Sequence, residues 1–219
     1  LSTLRHISEA DKKVESGDFD YHGLRGVSLR GKTLGIVGTG KIGRKAAQIA
    51  AGFGMRILAT DRCRTIELED LLQVKYTELD QLLSESDIIT LHLPAVEETH
   101  HMIDAEAFTK MKDGVCLVNT ARGELIDSDA LLDALNSGKV KHALLDVLEH
   151  EHNFEENKEL IHHSSVVTTP HIAFYAEESM HNMYEDAFTS IDEYLRGEKP
   201  EHTVKPPTVI CDLPGVKKA

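Results

Sequence analysis

The sequence predicts an α/β chain, a doubly wound parallel sheet with helices on both faces. Three observations lead there. From residue 33 onward, short apolar runs alternate with segments of helical period. The runs are apolar nearly throughout, as in strands covered on both faces, where one-sided strands would alternate with polar residues. The first run, 34–37, passes directly into a glycine-rich turn that opens a helical segment.

Residues 4–14 place Leu4, Ile7, Ala10 and Val14 at helical spacing, and Ser16-Gly17 ends that run. A polar, glycine-bearing stretch leads to Gly31. Strands are then expected at 33–37, 55–60, 87–91, 115–119, 141–145 and 166–168. Helices are expected at 41–53, 79–84, 105–111, 128–136 and 177–196, with Ser128 as an N-cap and Gly138 and Gly197 as stops. Residues 204–219 hold Pro206, Pro207 and Pro214 and show no period, so an extended strap or disorder is expected there.

Composition narrows the function. The 219 residues are 41% hydrophobic and 28% charged, which excludes disordered and collagen-like chains and leaves room for a sizeable core. Lys and Arg number 24 against 37 Asp and Glu, for a net charge of −13. With no basic cluster to offset it, that charge argues against nucleic acid as a partner. No apolar run is long enough to span a membrane. Cys63, Cys116 and Cys211 form no CxxC pair, so neither a disulfide framework nor a zinc site is expected, in keeping with a reducing cytoplasm. The chain opens Leu1-Ser2-Thr3 without a secretory signal pattern.

The strongest local signal is Gly38-Thr39-Gly40-Lys41-Ile42-Gly43. Gly38 permits the tight turn, Gly40 lets a pyrophosphate approach the backbone, and Gly43 lets the helix lie close to the strand. The helix that starts at Lys41 would aim N–H groups at the phosphates. Asp61 stands 18 residues beyond Gly43, at the end of the next strand, where an acid can bond both ribose hydroxyls of an adenosine. This is the fingerprint of a Rossmann-type fold. An acid there repels a 2′-phosphate and favours NAD over NADP, although Arg62 and Arg64 pull the other way.

Three further segments place polar residues just past strands, the edge at which open α/β sheets bind ligands. They are Asn119-Thr120-Ala121-Arg122-Gly123, Leu145-Asp146 through Glu151, and Thr169-Pro170-His171 through Tyr175. Taken singly, each has a plain structural explanation: a surface ion pair of Arg122 with Glu124 or Asp127, solvated loop acids, a turn histidine. Together they have the parts for oxidising a hydroxy acid. His171 can take the hydroxyl proton, a carboxylate such as Glu151 can hold its other nitrogen, Arg122 can clamp the substrate carboxylate, and NAD can accept the hydride. His150/His152 and His162/His163 do not have the spacing of a metal site, no HExxH or GxSxG occurs, and no metal is expected.

From about Leu24 to Lys205 the chain resembles the D-isomer-specific 2-hydroxyacid dehydrogenases. The resemblance rests on the GTGKIG loop with Asp61, Leu91-His92-Leu93-Pro94, the stretch from Asn119 to Asp127, that from Leu145 to Glu151 and that from Thr169 to Tyr175. It implies that Arg122 binds substrate, that His171 is the acid/base, that Glu151, in preference to Glu149, is its partner, and that Arg122 and His171 also border the bound cofactor. It also implies that Asp146 orients the nicotinamide carboxamide with Thr120 and Ala121 in the same pocket. His92 and Pro94 would flank the cofactor, and Lys41 and Ile42 would give N–H groups to the pyrophosphate. Ala173-Phe174-Tyr175 followed by His181-Asn182-Met183 looks most like the D-lactate and D-2-hydroxyisocaproate branch, and Glu151 unlike the formate branch.

The resemblance further implies a second, substrate-binding domain built largely from a segment before the phosphate loop. Only 30 residues precede Gly31, so that domain is largely absent from this chain, which alone is expected to be inactive. The expected organisation is an N-terminal helix and connector over 1–25, an NAD-binding domain over 26–175, a crossover helix over 176–203 and a tail over 204–219. Met180, Met183, Tyr184, Ala187, Ile191 and Leu195 give that helix more apolar surface than solvent favours. The resemblance also implies a homodimer formed through the nucleotide-binding domain, a small 2-hydroxy or 2-oxo acid as substrate, and a cytoplasmic setting. The alternative it leaves open is an NAD(H)-responsive dimerising corepressor.

Overall fold

The computed structural model describes residues 1–203 and the backbone of 216–218. After a 3-10 turn at Thr3–Arg5 come α1 (Ile7–Glu15), β1 (Thr33–Val37), α2 (Lys41–Gly52), β2 (Arg56–Thr60), β3 (Cys63–Thr65), α3 (Ile66–Leu72) and β4 (Lys75–Tyr76). They are followed by α4 (Leu79–Glu85), β5 (Ile88–Leu91), α5 (Ala105–Lys110), β6 (Val115–Asn119), α6 (Ser128–Asn136), β7 (Val140–Leu145), α7 (Phe154–His162), β8 (Val166–Thr168), α8 (Glu177–Leu195) and β9 (Val216–Lys218).

Seven strands form one parallel sheet in the order β4-β2-β1-β5-β6-β7-β8, and the order reverses direction between β1 and β5. Buried residues group into two clusters. One gathers Leu82, Ile89, Leu117, Leu125 and Leu131, the other Ile36, Ala47, Ala50, Ile57 and Ala59. The small residues Gly43, Ala47 and Ala50 make the buried stripe of α2 and let it lie close over β1 and β2. Each fully buried Leu or Ile contributes roughly 1.5–3 kcal/mol.

The strand register sets up the ligand edge. Thr60, Val37, Leu91, Asn119, Leu145 and Thr168 pair in turn across the sheet, making a single row at the carboxyl ends of β2, β1, β5, β6, β7 and β8. The residues that follow this row are Asp61, Gly38, His92, Thr120, Asp146 and Thr169. Six stretches distant in sequence therefore reach one crevice.

Several local details differ from the sequence reading. β3, β4 and α3 were not expected; strands of two and three residues are too short to show a period. Nor was α7, whose sequence is mostly acidic, amide and histidine with Leu160 as its buried apolar anchor. The expected N-terminal helix breaks at His6, where φ is 52°, and α1 buries none of its residues. Asp127, not Ser128, caps α6, its carboxylate accepting from the Ala130 N–H at 3.0 Å. Cys63 is disulfide-bonded, which the cysteine spacing did not suggest, and Cys116 is a buried free thiol pushed up to about 11 by burial. Of the expected strap, 216–218 pair antiparallel with β3, and the rest lies outside the described residues. No described helix is long and apolar enough to cross a membrane.

Candidate active site

β1 ends at Val37 and the chain turns at Gly38 with φ +95°, a conformation side chains rarely adopt. A Cβ there would also lie 2.6 Å from the His92 carbonyl oxygen. A Cβ on Gly43 would stand 2.0 Å from the Gly38 carbonyl oxygen, so the first turn of α2 needs a bare residue against the loop. Gly40 is different: a Cβ on it would meet nothing within 4 Å, and its bareness opens space toward the crevice. Gly40 is the N-cap of α2, and no side chain caps the helix. The first-turn N–H groups, Lys41 and Ile42 among them, can then serve an anion, which fits a dinucleotide pyrophosphate.

Asp61 is tied into this loop. Its Oδ2 accepts from the Thr39 N–H at 2.5 Å and the Thr39 hydroxyl at 3.0 Å, and its Oδ1 accepts from the Cys63 N–H at 2.9 Å. Tyr76 continues the network, donating to Thr39 Oγ1 at 2.9 Å and accepting from the Thr65 N–H at 3.1 Å. The acid thus stands at the carboxyl end of β2 with its orientation fixed. Arg64 lies with its guanidinium 5.8 Å from the Tyr76 ring centroid.

His92 and Pro94 follow β5. The His92 ring is half-buried, burial holds it below the ordinary imidazole range, and its Nε2 shares a 3.1 Å hydrogen bond with Thr90 Oγ1. The Pro94 carbonyl accepts from Thr99 Oγ1 at 2.7 Å, which closes the loop behind it.

The loop after β6 is held from below by fully buried Asn119. Its Nδ2 donates to the Arg122 carbonyl at 2.8 Å, and its Oδ1 accepts from the Ala121 N–H at 3.0 Å. Thr120 is exposed and Ala121 half-buried above it. The Arg122 guanidinium donates to the Ala121 carbonyl at 2.6 Å and, among the described residues, forms no ion pair; neither Glu124 nor Asp127 neutralises it. Next to it, a Cβ on Gly123 would lie 2.1 Å from the Leu148 carbonyl and 2.4 Å from the Glu149 nitrogen. Only a bare residue lets the β6 and β7 loops meet this closely.

After β7, Asp146 is buried, and both of its oxygens are engaged by the segment after β8. Oδ1 accepts from the Ile172 N–H at 2.9 Å and from the Thr169 hydroxyl, and Oδ2 accepts from the Ala173 N–H at 2.8 Å. Burial pushes this carboxyl up, but the Thr169 hydroxyl, the two N–H groups and nearby His171 together outweigh it and leave the group below the usual range. The Asp146 carbonyl in turn accepts the His171 N–H at 2.8 Å. His171 sits at φ 53°, and its Nδ1 is 3.2 Å from Glu151 Oε2, both side chains partly open to solvent. Glu149, the competing acid, points elsewhere and pairs with His101 at 2.7 Å.

Asp146 therefore anchors the turn that carries His171, in addition to the cofactor-facing role the resemblance implies. Its lowered folded-state pKa means this stabilisation is complete above the unfolded carboxylate range, about 3.9, and lost as pH falls through the folded value. Asp146→Asn is expected to lower the Tm at pH 7 by several degrees, with the gap from the parent closing below about pH 4. A gap of constant size across that range in thermal denaturation would remove Asp146 as the anchor.

A cavity of about 410 Å³ is lined by Asp146, Leu148, Glu151, Thr169, His171 and Phe174, with His152 and Pro170. Arg122 stands outside this lining, at the end of the neighbouring strand β6. The positioning residues Asn119, Thr39, Tyr76 and Gly123 escaped the sequence reading as members of the site. For Asn119 and Gly123 their place inside the Asn119–Asp127 motif was the available signal.

Comparison with known proteins agrees with this geometry. Residues 1–173 match the family model "D-isomer specific 2-hydroxyacid dehydrogenase, NAD binding domain". An aromatic 2-oxoacid reductase of Clostridium sporogenes is 41% identical over 211 residues, covering 90% of this chain and 63% of that protein. A D-lactate dehydrogenase of Lactiplantibacillus plantarum is 38% identical over 218 residues, covering 94% and 65%. The crystal structure of D-lactate dehydrogenase from Aquifex aeolicus, complexed with NAD and lactic acid, superposes with a TM-score of 0.86 at 34% identity, covering 90% of this chain and 64% of that one. The chain thus spans a little under two thirds of the length of these relatives. A phosphate loop with an open Gly40, an acid fixed at the end of β2 and a parallel sheet of this order all fit that match, and the chain belongs to the D-isomer-specific 2-hydroxyacid dehydrogenase family through its NAD-binding domain.

Proposed function

We propose that this chain is the NAD-binding portion of an oxidoreductase that interconverts a D-2-hydroxy acid and a 2-oxo acid, with a lactate/pyruvate-like pair as the leading substrate class. The observation that carries this reading is His171 held through Nδ1 by Glu151 at 3.2 Å, with the unpaired Arg122 guanidinium two strands away on the same sheet edge. Asp61, fixed at the end of β2, supports a ribose-bearing cofactor without a 2′-phosphate.

Arg122 would clamp the substrate carboxylate with its fork and set the reacting carbon in place. In oxidation, His171 Nε2 takes the hydroxyl proton while Glu151 holds the ring at Nδ1; in reduction, the same nitrogen returns a proton to the carbonyl oxygen. NAD, when bound, supplies the hydride acceptor. Asp146, through the 172–173 turn, keeps the imidazole aimed. The relatives reported above are named for dehydrogenase and reductase activities, which lends the corepressor alternative no support.

The test is NADH oxidation by the full-length protein against pyruvate, 2-oxoisocaproate and phenylpyruvate. Turnover on any of them supports the reading and ranks small against bulky side chains; NADH binding without turnover on all three overturns it. We also propose that the enzyme is a homodimer. Ile7 and Val14 of α1 are about half exposed, and Phe19 and Tyr21 beyond it are 82% and 76% exposed, an apolar surface suited to a second copy. Sedimentation of the same preparation as a monomer at micromolar concentration would count against the dimer.

A further inference from the structure

Beside the turn that follows β7, three side chains bring metal-ligating atoms together outside the proposed reaction. His100 and His101 are consecutive, and their rings stack with centroids 4.0 Å apart and 29° between planes. Glu149 Oε1 lies 2.7 Å from His101 Nε2, and the ligating atoms of all three residues fall within 4.8 Å of one another. In extended chain, consecutive side chains point to opposite sides. Here His101 takes the left-handed conformation, φ 48°, with its N–H donated to the Glu124 carbonyl at 2.8 Å, and the two imidazoles face the same acid.

The electrostatics point to a cation. His101 Nδ1 looks toward the Asp127 carboxylate at 4.0 Å while Nε2 faces Glu149. A neutral imidazole has one N–H, so between two carboxylates its one bare nitrogen lone pair is left against a negative oxygen. A metal ion on Nε2 relieves that. Glu149 and His101 are partly shielded from water, at 16% and 33% side-chain exposure, which strengthens a charge interaction relative to the open surface.

We propose that His100, His101 and Glu149 form a binding site for a divalent transition-metal ion of the zinc class, with the Asp127 carboxylate 4.0 Å from His101 Nδ1 adding negative charge beside it. Two imidazoles and a carboxylate suit zinc and leave its fourth position to water; magnesium and calcium require oxygen-rich sets. Ligand atoms around tetrahedral zinc stand about 3.3 Å apart, so Glu149 and His101 separate by roughly half an ångström and the exposed His100 turns inward. The metal would fasten the segment after β5 to the turn after β7, two residues before Glu151. His101 and Glu149 are 48 residues apart, so no local spacing in the sequence marks the cluster.

The test is calorimetric titration of zinc chloride into the EDTA-stripped full chain, in competition with a chelator of known affinity. One site per chain of micromolar affinity or better is expected, weakened at least about tenfold by His100→Gln and by Glu149→Gln. The adjacent histidines at the end of α7, changed together as His162→Gln/His163→Gln, should leave it unchanged. His100 is exposed, so its variant carries the test even where Glu149→Gln fails to fold. Absence of such a site overturns the proposal. So does equal affinity in the parent and His100→Gln, or loss of the site in the His162/His163 variant.

Discussion

Replacing His171 with Asn should lower kcat of the full-length protein on 2-oxo acids by about a thousandfold, with NADH affinity held within about twofold. The choice of Asn matters. His171 sits at φ 53°, where Asn is among the residues that tolerate left-handed backbone, so the substitution keeps the turn and the N–H donated to the Asp146 carbonyl. What is lost is the imidazole that exchanges a proton with the substrate oxygen. Stopped-flow turnover together with NADH fluorescence titration separates the outcomes. If cofactor affinity falls in parallel with kcat, His171 is a support for the 169–173 turn and the acid/base assignment is wrong.

Arg122→Ala should cost about a thousandfold in kcat/KM, or about 4 kcal/mol of transition-state stabilisation, again with NADH binding nearly intact. The backbone argument favours a clean result. The loop is held by Asn119 through the Arg122 carbonyl and the Ala121 N–H, two bonds that outlast the loss of the guanidinium's own bond to the Ala121 carbonyl, so truncating the side chain leaves the loop in place. Arg122→Lys should recover only a small part, because an ammonium cannot make two parallel bonds to a carboxylate. A simultaneous loss of turnover and cofactor binding would make Arg122 structural.

Much of this was legible in the sequence. Buried parallel strands announce themselves as continuous apolar runs, and Gly38 to Gly43 marked the place of the phosphate loop because Gly38 and Gly43 each answer a separate steric demand while Gly40 leaves its side of the loop open. The elements that escaped are those whose cause is tertiary. β3 and β4 exist as short pairings with β9 and β2, too brief to leave a period. Asp127 displaced Ser128 as a cap because both residues are good caps and only the chain's approach decides between them. Asp146 looked like a cofactor residue, and its anchoring of N–H groups 26 and 27 residues away has no local signature. The same holds for Gly123, whose bareness is demanded by Leu148 and Glu149 on another loop.

α8 runs for 19 residues, Glu177–Leu195, and buries none of them. An isolated helix of that length is only marginally stable in water, since most helical stability in proteins comes from a packed face. It should therefore open locally far more often than the sheet beneath the crevice. Tyr184 and Phe188, 55% and 69% exposed, then become cleavage points for chymotrypsin, while the buried strands resist it. Any part of the full-length protein that docks on this helix would shield those bonds. The rate of a single proteolytic clip is thus a gauge of assembly, readable on a gel without substrate or cofactor.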